Sequence, residues 1–240
     1  MKILLSPAKT FAKELIKAND VPYFFSEANI LMNKLKQTPK SVIQKKMKLS
    51  DNLLLDVISY IDTFGENRYQ AIYTYLGQAF KAFHVKSLDD KSLAFMQDHL
   101  MILSGLYGIL KPFDGISLYR LEMQDTTIDN LYSFWQPKLD YYFKTLCKDK
   151  MIVSLLSEEY LKVLPNDLNV YHIDFITIKD GMPQKRSMEV KTMRGKFARY
   201  LIEHHIQDLN HLKKIILDGY TYDQKLSSTH KLIFKKEVMK

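Results

Sequence analysis

The chain of 240 residues contains one cysteine, eight glycines and seven prolines. A lone thiol, Cys147, excludes an intramolecular disulfide framework and a multi-cysteine zinc site. It lies in a helical pattern and reads as a buried thiol. No Gly/Ser/Pro-rich linker, repeat or low-complexity tract interrupts the chain, so residues 1–240 read as one domain. No apolar run approaches the ~18 residues of a membrane span. The run after Met1-Lys2 is too short for a secretory h-region. These shortages predict a soluble, cytoplasmic protein with no membrane partner. The seven histidines show no HxH or HxxxH spacing, and the adjacent His204 and His205 point apart on a helix. No metal and no cofactor are expected.

The formal charge is +8, from 35 Lys and Arg against 27 Asp and Glu, which favours phosphate-bearing partners. Fifteen Tyr and thirteen Phe can pack a core, and some can instead line a cleft and stack on bases. Apolar runs of strand length occur at residues 3–5, 71–76, 100–103, 151–153, 169–179 and 231–235. Helical patterns lie between them, at residues 26–36, 42–49, from Ser50, from Ser87, 131–146, from Ser157 and 195–205. This alternation predicts an α/β fold with a mixed, partly parallel sheet surrounded by helices. Ser6, Ser104 and Ser157 then fall just beyond strands, where open α/β sheets bind ligands.

Ser6-Pro7-Ala8-Lys9-Thr10 offers hydroxyls, an ammonium and free amides at a strand end, suited to an anion. It also reads as a Pro turn with a solvated Lys. In Leu103-Ser104-Gly105-Leu106-Tyr107-Gly108 the two glycines let backbone approach backbone or phosphate. This rhythm resembles the hairpin of helix-hairpin-helix DNA-binding motifs, and it is equally a tight turn packed on the core. Tyr119-Arg120-Leu121-Glu122-Met123 reads as a strand. Its Arg120 and Glu122 are either an ion pair or an anion clamp beside a general base. Ser157-Glu158-Glu159-Tyr160 caps a helix or brings a carboxylate and a phenol to the same sheet edge.

The anion-binding candidates are therefore Ser6, Lys9, Thr10, Ser104, Gly105, Gly108, Tyr119 and Arg120. Glu122, Glu159 and Tyr107 are candidates for acid–base work. A cationic helix face, Lys191, Arg194 (at its boundary), Lys196 and Arg199, extends to Lys185 and Arg186. It is either a solvated surface or a contact for the DNA backbone. A further lysine run between Lys34 and Lys48 reads as solvated helix.

Together these segments resemble the YaaA family of peroxide-stress proteins. The likeness includes Asp114, Phe134-Trp135, Arg194-Gly195-x-x-x-Arg199-Tyr200 and Gly219-Tyr220-x-Tyr222, and runs in order from Ser6 to about Phe234. It implies a fold peculiar to the family, a positive cleft and a helix-hairpin-helix-like element. It further implies binding to double-stranded DNA and restraint of free intracellular iron and oxidative DNA damage. It brings no established reaction. The chain departs from the family pattern at Gln78 and Phe80, where an Asp and a Tyr are usual, and at Ser154-Leu155-Leu156. Two functions follow: a DNA-binding stress protein, or an enzyme acting on a nucleic-acid base or nucleotide, for example at a glycosidic bond. Convergence of Ser6, Lys9, Ser104, Arg120, Glu122 and Glu159 would favour the second. Dispersal would favour the first.

Overall fold

In the computed structural model, residues 1–184 and 186–238 are described. In chain order the strands are β1 (Lys2–Leu5), β2 (Tyr69–Gln70), β3 (Leu100–Ser104), β4 (Gly108–Leu110), β5 (Gly115–Ile116), β6 (Ile152–Leu155), β7 (Val170–Lys179), β8 (Met182–Gln184), β9 (Ile216–Leu217), β10 (Tyr220–Tyr222) and β11 (Lys231–Val238). The helices are α1 (Phe25–Gln37), α2 (Lys40–Met47), α3 (Asp51–Asp62), α4 (Ala71–Thr74), α5 (Gln78–Phe83), α6 (Asp90–His99), α7 (Leu131–Leu146), α8 (Glu158–Leu161), α9 (Ser187–Glu203) and α10 (Leu209–Lys213).

One mixed sheet runs β4-β3-β1-β6-β7-β11-β10-β9, with β8 paired to β7, while β2 and β5 form a separate pair. Strands β3, β1, β6, β7 and β11 are mutually parallel, and the flanking strands are antiparallel. Parallel strands covered on both faces read as unbroken apolar runs, and β3 and β6 are buried at every residue. Leu5 sits opposite both Ile102 and Leu155, which aligns the carboxyl ends of β1, β3 and β6. The chain leaves β1 for β3 on one side and later returns to β6 on the other. Strand β1 is therefore the topological switch point, and the crevice beyond it is the place for a ligand.

The α/β class and the mixed sheet agree with the sequence reading; several local expectations do not. Residues 71–76 form one helical turn, α4, followed by an isolated bridge from Tyr75 to Phe11. The Ala71 and Ile72 amides donate to Asp114 and Pro112 carbonyls, so they are not available to a ladder. Residues 117–122 belong to no strand. Helix α9 begins two turns before Gly195 and packs on β1, β7 and α5. The Gly-containing segment is no helix-hairpin-helix: it joins β3 to β4 as a tight antiparallel hairpin, with Ser104 opposite Gly108. Gly108 adopts φ +65°, a left-handed conformation that glycine tolerates.

Candidate functional site

The loop after β1 and the loop after β6 are tied where the sheet diverges. The Ser157 amide donates to Ser6 Oγ at 2.9 Å, and the two hydroxyls lie 3.4 Å apart. Ser157 occupies the N-cap position of α8, but its side chain makes no capping bond; it is engaged with Ser6 instead. A Cβ on Gly77 would come within 2.8 Å of Ala8 Cβ, so the loop before α5 also closes on this edge. The result is a cleft of about 290 Å³, within reach of a nucleotide-sized ligand in volume.

Five of the six residues whose convergence mattered line this cleft: Ser6, Lys9, Arg120, Glu122 and Glu159. Lys9 Nζ lies 2.5 Å from one Glu122 oxygen, and Arg120 lies 3.8 Å from the other. Glu122 is thus held between two cations. Glu159 is placed differently. Its Oε1 accepts the Gln124 amide at 3.1 Å, and its carbonyl accepts the Tyr132 hydroxyl. Burial pushes the Glu159 carboxyl above the usual range, and the negative charge of nearby Glu122 pushes the same way. The amide of Gln124 and the charge of Lys9 only partly offset this. Two carboxyl groups in one cleft with unlike surroundings can divide acid and base roles.

The sixth residue, Ser104, lies behind the wall. It is fully buried, accepts the Leu106 and Tyr107 amides, and bonds the Tyr119 hydroxyl at 2.7 Å. Tyr119 bonds the Tyr75 hydroxyl at 2.7 Å as well, so it links two buried hydroxyls that do not line the cleft. Gly105 and Gly108 are packing residues. A Cβ on Gly105 would stand 2.5 Å from the Leu121 carbonyl oxygen, and one on Gly108 would stand 2.5 Å from the Trp135 ring. Trp135 Nε1 donates to the Gly105 carbonyl. Buried with its amides facing inward, the hairpin has no surface to offer a phosphate. Tyr107 is buried too; its hydroxyl accepts the Ser117 amide, and burial raises its pKa far above that of an ordinary phenol. It is not an acid–base group of the cleft. Thr10 lines the rim and donates to the Leu76 carbonyl.

The cationic helix face is divided among three duties. Arg194 is buried and, with Lys191, lines the cleft. Lys196 pairs with Asp218 at 2.5 Å. Arg199 donates to the Phe83 and His84 carbonyls and pairs with Glu203, fastening α9 to the end of α5. Arg186 is exposed beside Gln184; Lys185 lies outside the described residues. Arg194 falls on the stripe Val190, Arg194, Phe197, Leu201, each three or four residues on, which faces the core. That spacing was the signal for its burial. The cleft also uses Tyr160, whose phenol falls at this edge as one reading of residues 157–160 has it, and Gln78 and Phe80, which were not among the site candidates. Departure from the family pattern was the one sequence signal at Gln78 and Phe80; their place in the cleft comes from the nonlocal approach of α5. Among the described residues no three His, Cys, Asp or Glu side chains are grouped as a metal site would need, and no helix is long and apolar enough to cross a membrane.

The family model for "Peroxide stress protein YaaA" matches residues 1–226. A UPF0246 protein of Polynucleobacter asymbioticus is 39% identical over 98% of both chains. One from Clostridium botulinum is 34% identical over 99% of this chain and 100% of its own. One from Finegoldia magna is 32% identical over 100% of this chain and 99% of its own.

Proposed function

The chain belongs to the peroxide stress protein YaaA family, and from that premise we propose that it serves the peroxide response by acting on a nucleotide, free or turned out of DNA, held in the carboxyl-edge cleft. The observation that carries this reading is the gathering of Lys9, Arg120, Glu122 and Glu159 at the switch point of a parallel sheet. A surface that only follows a phosphate backbone has no use for two carboxyl groups in differing environments. Arg120 and Lys9 hold the anionic part of the ligand. Glu159, whose proton burial holds more firmly than that of an ordinary carboxyl, is the acid. At a glycosidic bond, water attacks C1′ and the C1′–N bond breaks. Glu159 gives its proton to the leaving base and takes one back from the water.

Calorimetric titration with deoxynucleoside monophosphates, and chromatography for released base, test the proposal. Arg120→Met is expected to weaken binding at least tenfold, and Glu159→Gln to abolish base release at unchanged affinity. Equal behaviour of wild type and both variants would sink it.

A second reading, a DNA-binding protein that limits iron-driven damage without chemistry, draws on the charge of +8 and the exposed Lys191 and Arg186. It predicts duplex affinity that falls steeply with salt and is indifferent to Glu159→Gln.

A further inference from the structure

Arg194 is 7% exposed, yet its Nε has no hydrogen-bond partner among the described residues. A buried N–H left unpaired gives up its bond to water without replacing it. The position of the side chain accounts for this, because Arg194 lines the cleft beside Lys191. Asp174 and Glu158 lie near enough to act on its charge, and both have further interactions of their own. They supply charge, but the Nε–H, although covered, is left without a bond. The close approach of α9 to α5 keeps the side chain there: a Cβ at Gly195 would stand 1.9 Å from the Ala79 carbonyl oxygen.

We propose that Arg194 is the anchor for an oxyanion of the ligand, a phosphate monoester: its guanidinium turns to the ligand and the covered, unpartnered Nε–H gains its bond there, while Lys191 closes over the same group from the mouth. This deepens the reading of the cleft as a nucleotide site, on which it rests for the identity of the rest of the ligand, and it sets Arg194 and Lys191 around the same phosphate as Arg120 and Lys9. It also changes what Arg194 can touch. A duplex backbone is a rod too wide to reach a guanidinium at this depth, whereas the terminal phosphate of a compact ligand can enter. A carboxylate could present the same two oxygens, so the test includes one.

The experiment uses the whole chain with inorganic phosphate, malate, dAMP and deoxyadenosine as probes. Binding is measured by calorimetry, and the Arg194 Nε resonance by ¹⁵N NMR, with R194K identifying the signal. The expected result is that phosphate and dAMP move the Nε resonance and malate does so weakly or not at all. Deoxyadenosine is expected to bind at least tenfold more weakly than dAMP. Arg194→Met should remove that preference, and Arg194→Lys should restore part of it. If phosphate acts on Arg194 but the nucleoside portion adds nothing, the anchor stands and the nucleotide reading fails. If dAMP binds wild type and Arg194→Met equally, the nucleotide reading stands and the anchor is overturned. A resonance unmoved by phosphate and dAMP overturns it as well, even if Arg194→Met fails to fold. A carboxylate anchor is shown instead if malate outcompetes phosphate.

Discussion

The β3–β4 hairpin and the cleft beyond β1 lie back to back, joined by Tyr119, and are built on opposite terms. The hairpin is closed: its glycines are pressed against Leu121 and Trp135, the Ser104 hydroxyl is engaged by two amides and a phenol, and the Tyr107 hydroxyl by the Ser117 amide. The cleft is open, with charged groups facing one another across space. Both begin at the end of a parallel strand, and both look promising as sequence. Proximity to the carboxyl edge of a strand therefore does not make a site; what matters is whether the chain then turns back into the sheet or leaves it.

The sharpest way to break this contrast is to crowd the closed side. Gly108→Ala drives a methyl into the Trp135 ring at 2.5 Å from a left-handed φ of +65° and is expected to cost about 3 kcal/mol, a fall of roughly 10 °C in Tm. Ligand affinity of the folded fraction should stay unchanged. An affinity that fell as far as Tm would mean that the hairpin belongs to the site after all.

The next test uses acidity. Asp114, buried below the hairpin and accepting the Lys111 amide, is pushed by burial up to about 6. A carboxyl whose folded pKa exceeds its unfolded value binds its proton more tightly when folded. Stability is then greatest below the unfolded value, near 4, and falls as pH rises toward 6, by on the order of 2 kcal/mol. Denaturant unfolding between pH 4 and 7 should show this fall in wild type and a flatter profile in Asp114→Asn. Glu159, raised in the same direction, should leave its own mark on the profile, removed by Glu159→Gln. A wild-type curve that rises across this range would contradict both.

The smallest effect concerns the joint. Tyr119→Phe removes the hydroxyl shared by Ser104 and Tyr75 and is expected to cost about 1–1.5 kcal/mol, read as a lower denaturant midpoint at unchanged m. No loss would show that the three hydroxyls are held by their surroundings rather than by one another.

The parallel strands were legible because residues 3–5, 100–103 and 151–153 are unbroken apolar runs, which fully covered strands require. Residues 71–76 misled because apolar and aromatic residues suit a turn of helix packed on neighbours as well as a strand. The serines at strand ends, with Lys9, Arg120, Glu122 and Glu159, indicated the site in outline. Their sorting into cleft and wall was not legible, since whether Ser104 faces ligand or protein depends on Tyr75 and Tyr119, 29 and 15 residues away. Arg194 was readable in principle. Its place on the Val190–Phe197–Leu201 stripe outweighs its charge, and a charge on such a stripe turns inward only when something there can receive it.

The bare backbone at Gly195 bears on how this chain can change over time. With Ala79 so close, any side chain at 195 must drive α9 and α5 apart, carrying Arg194 with it. A methyl that touches no charge would thus detune the cleft from outside. A side chain at 195 would therefore disturb the lining of the cleft together with the packing of the two helices.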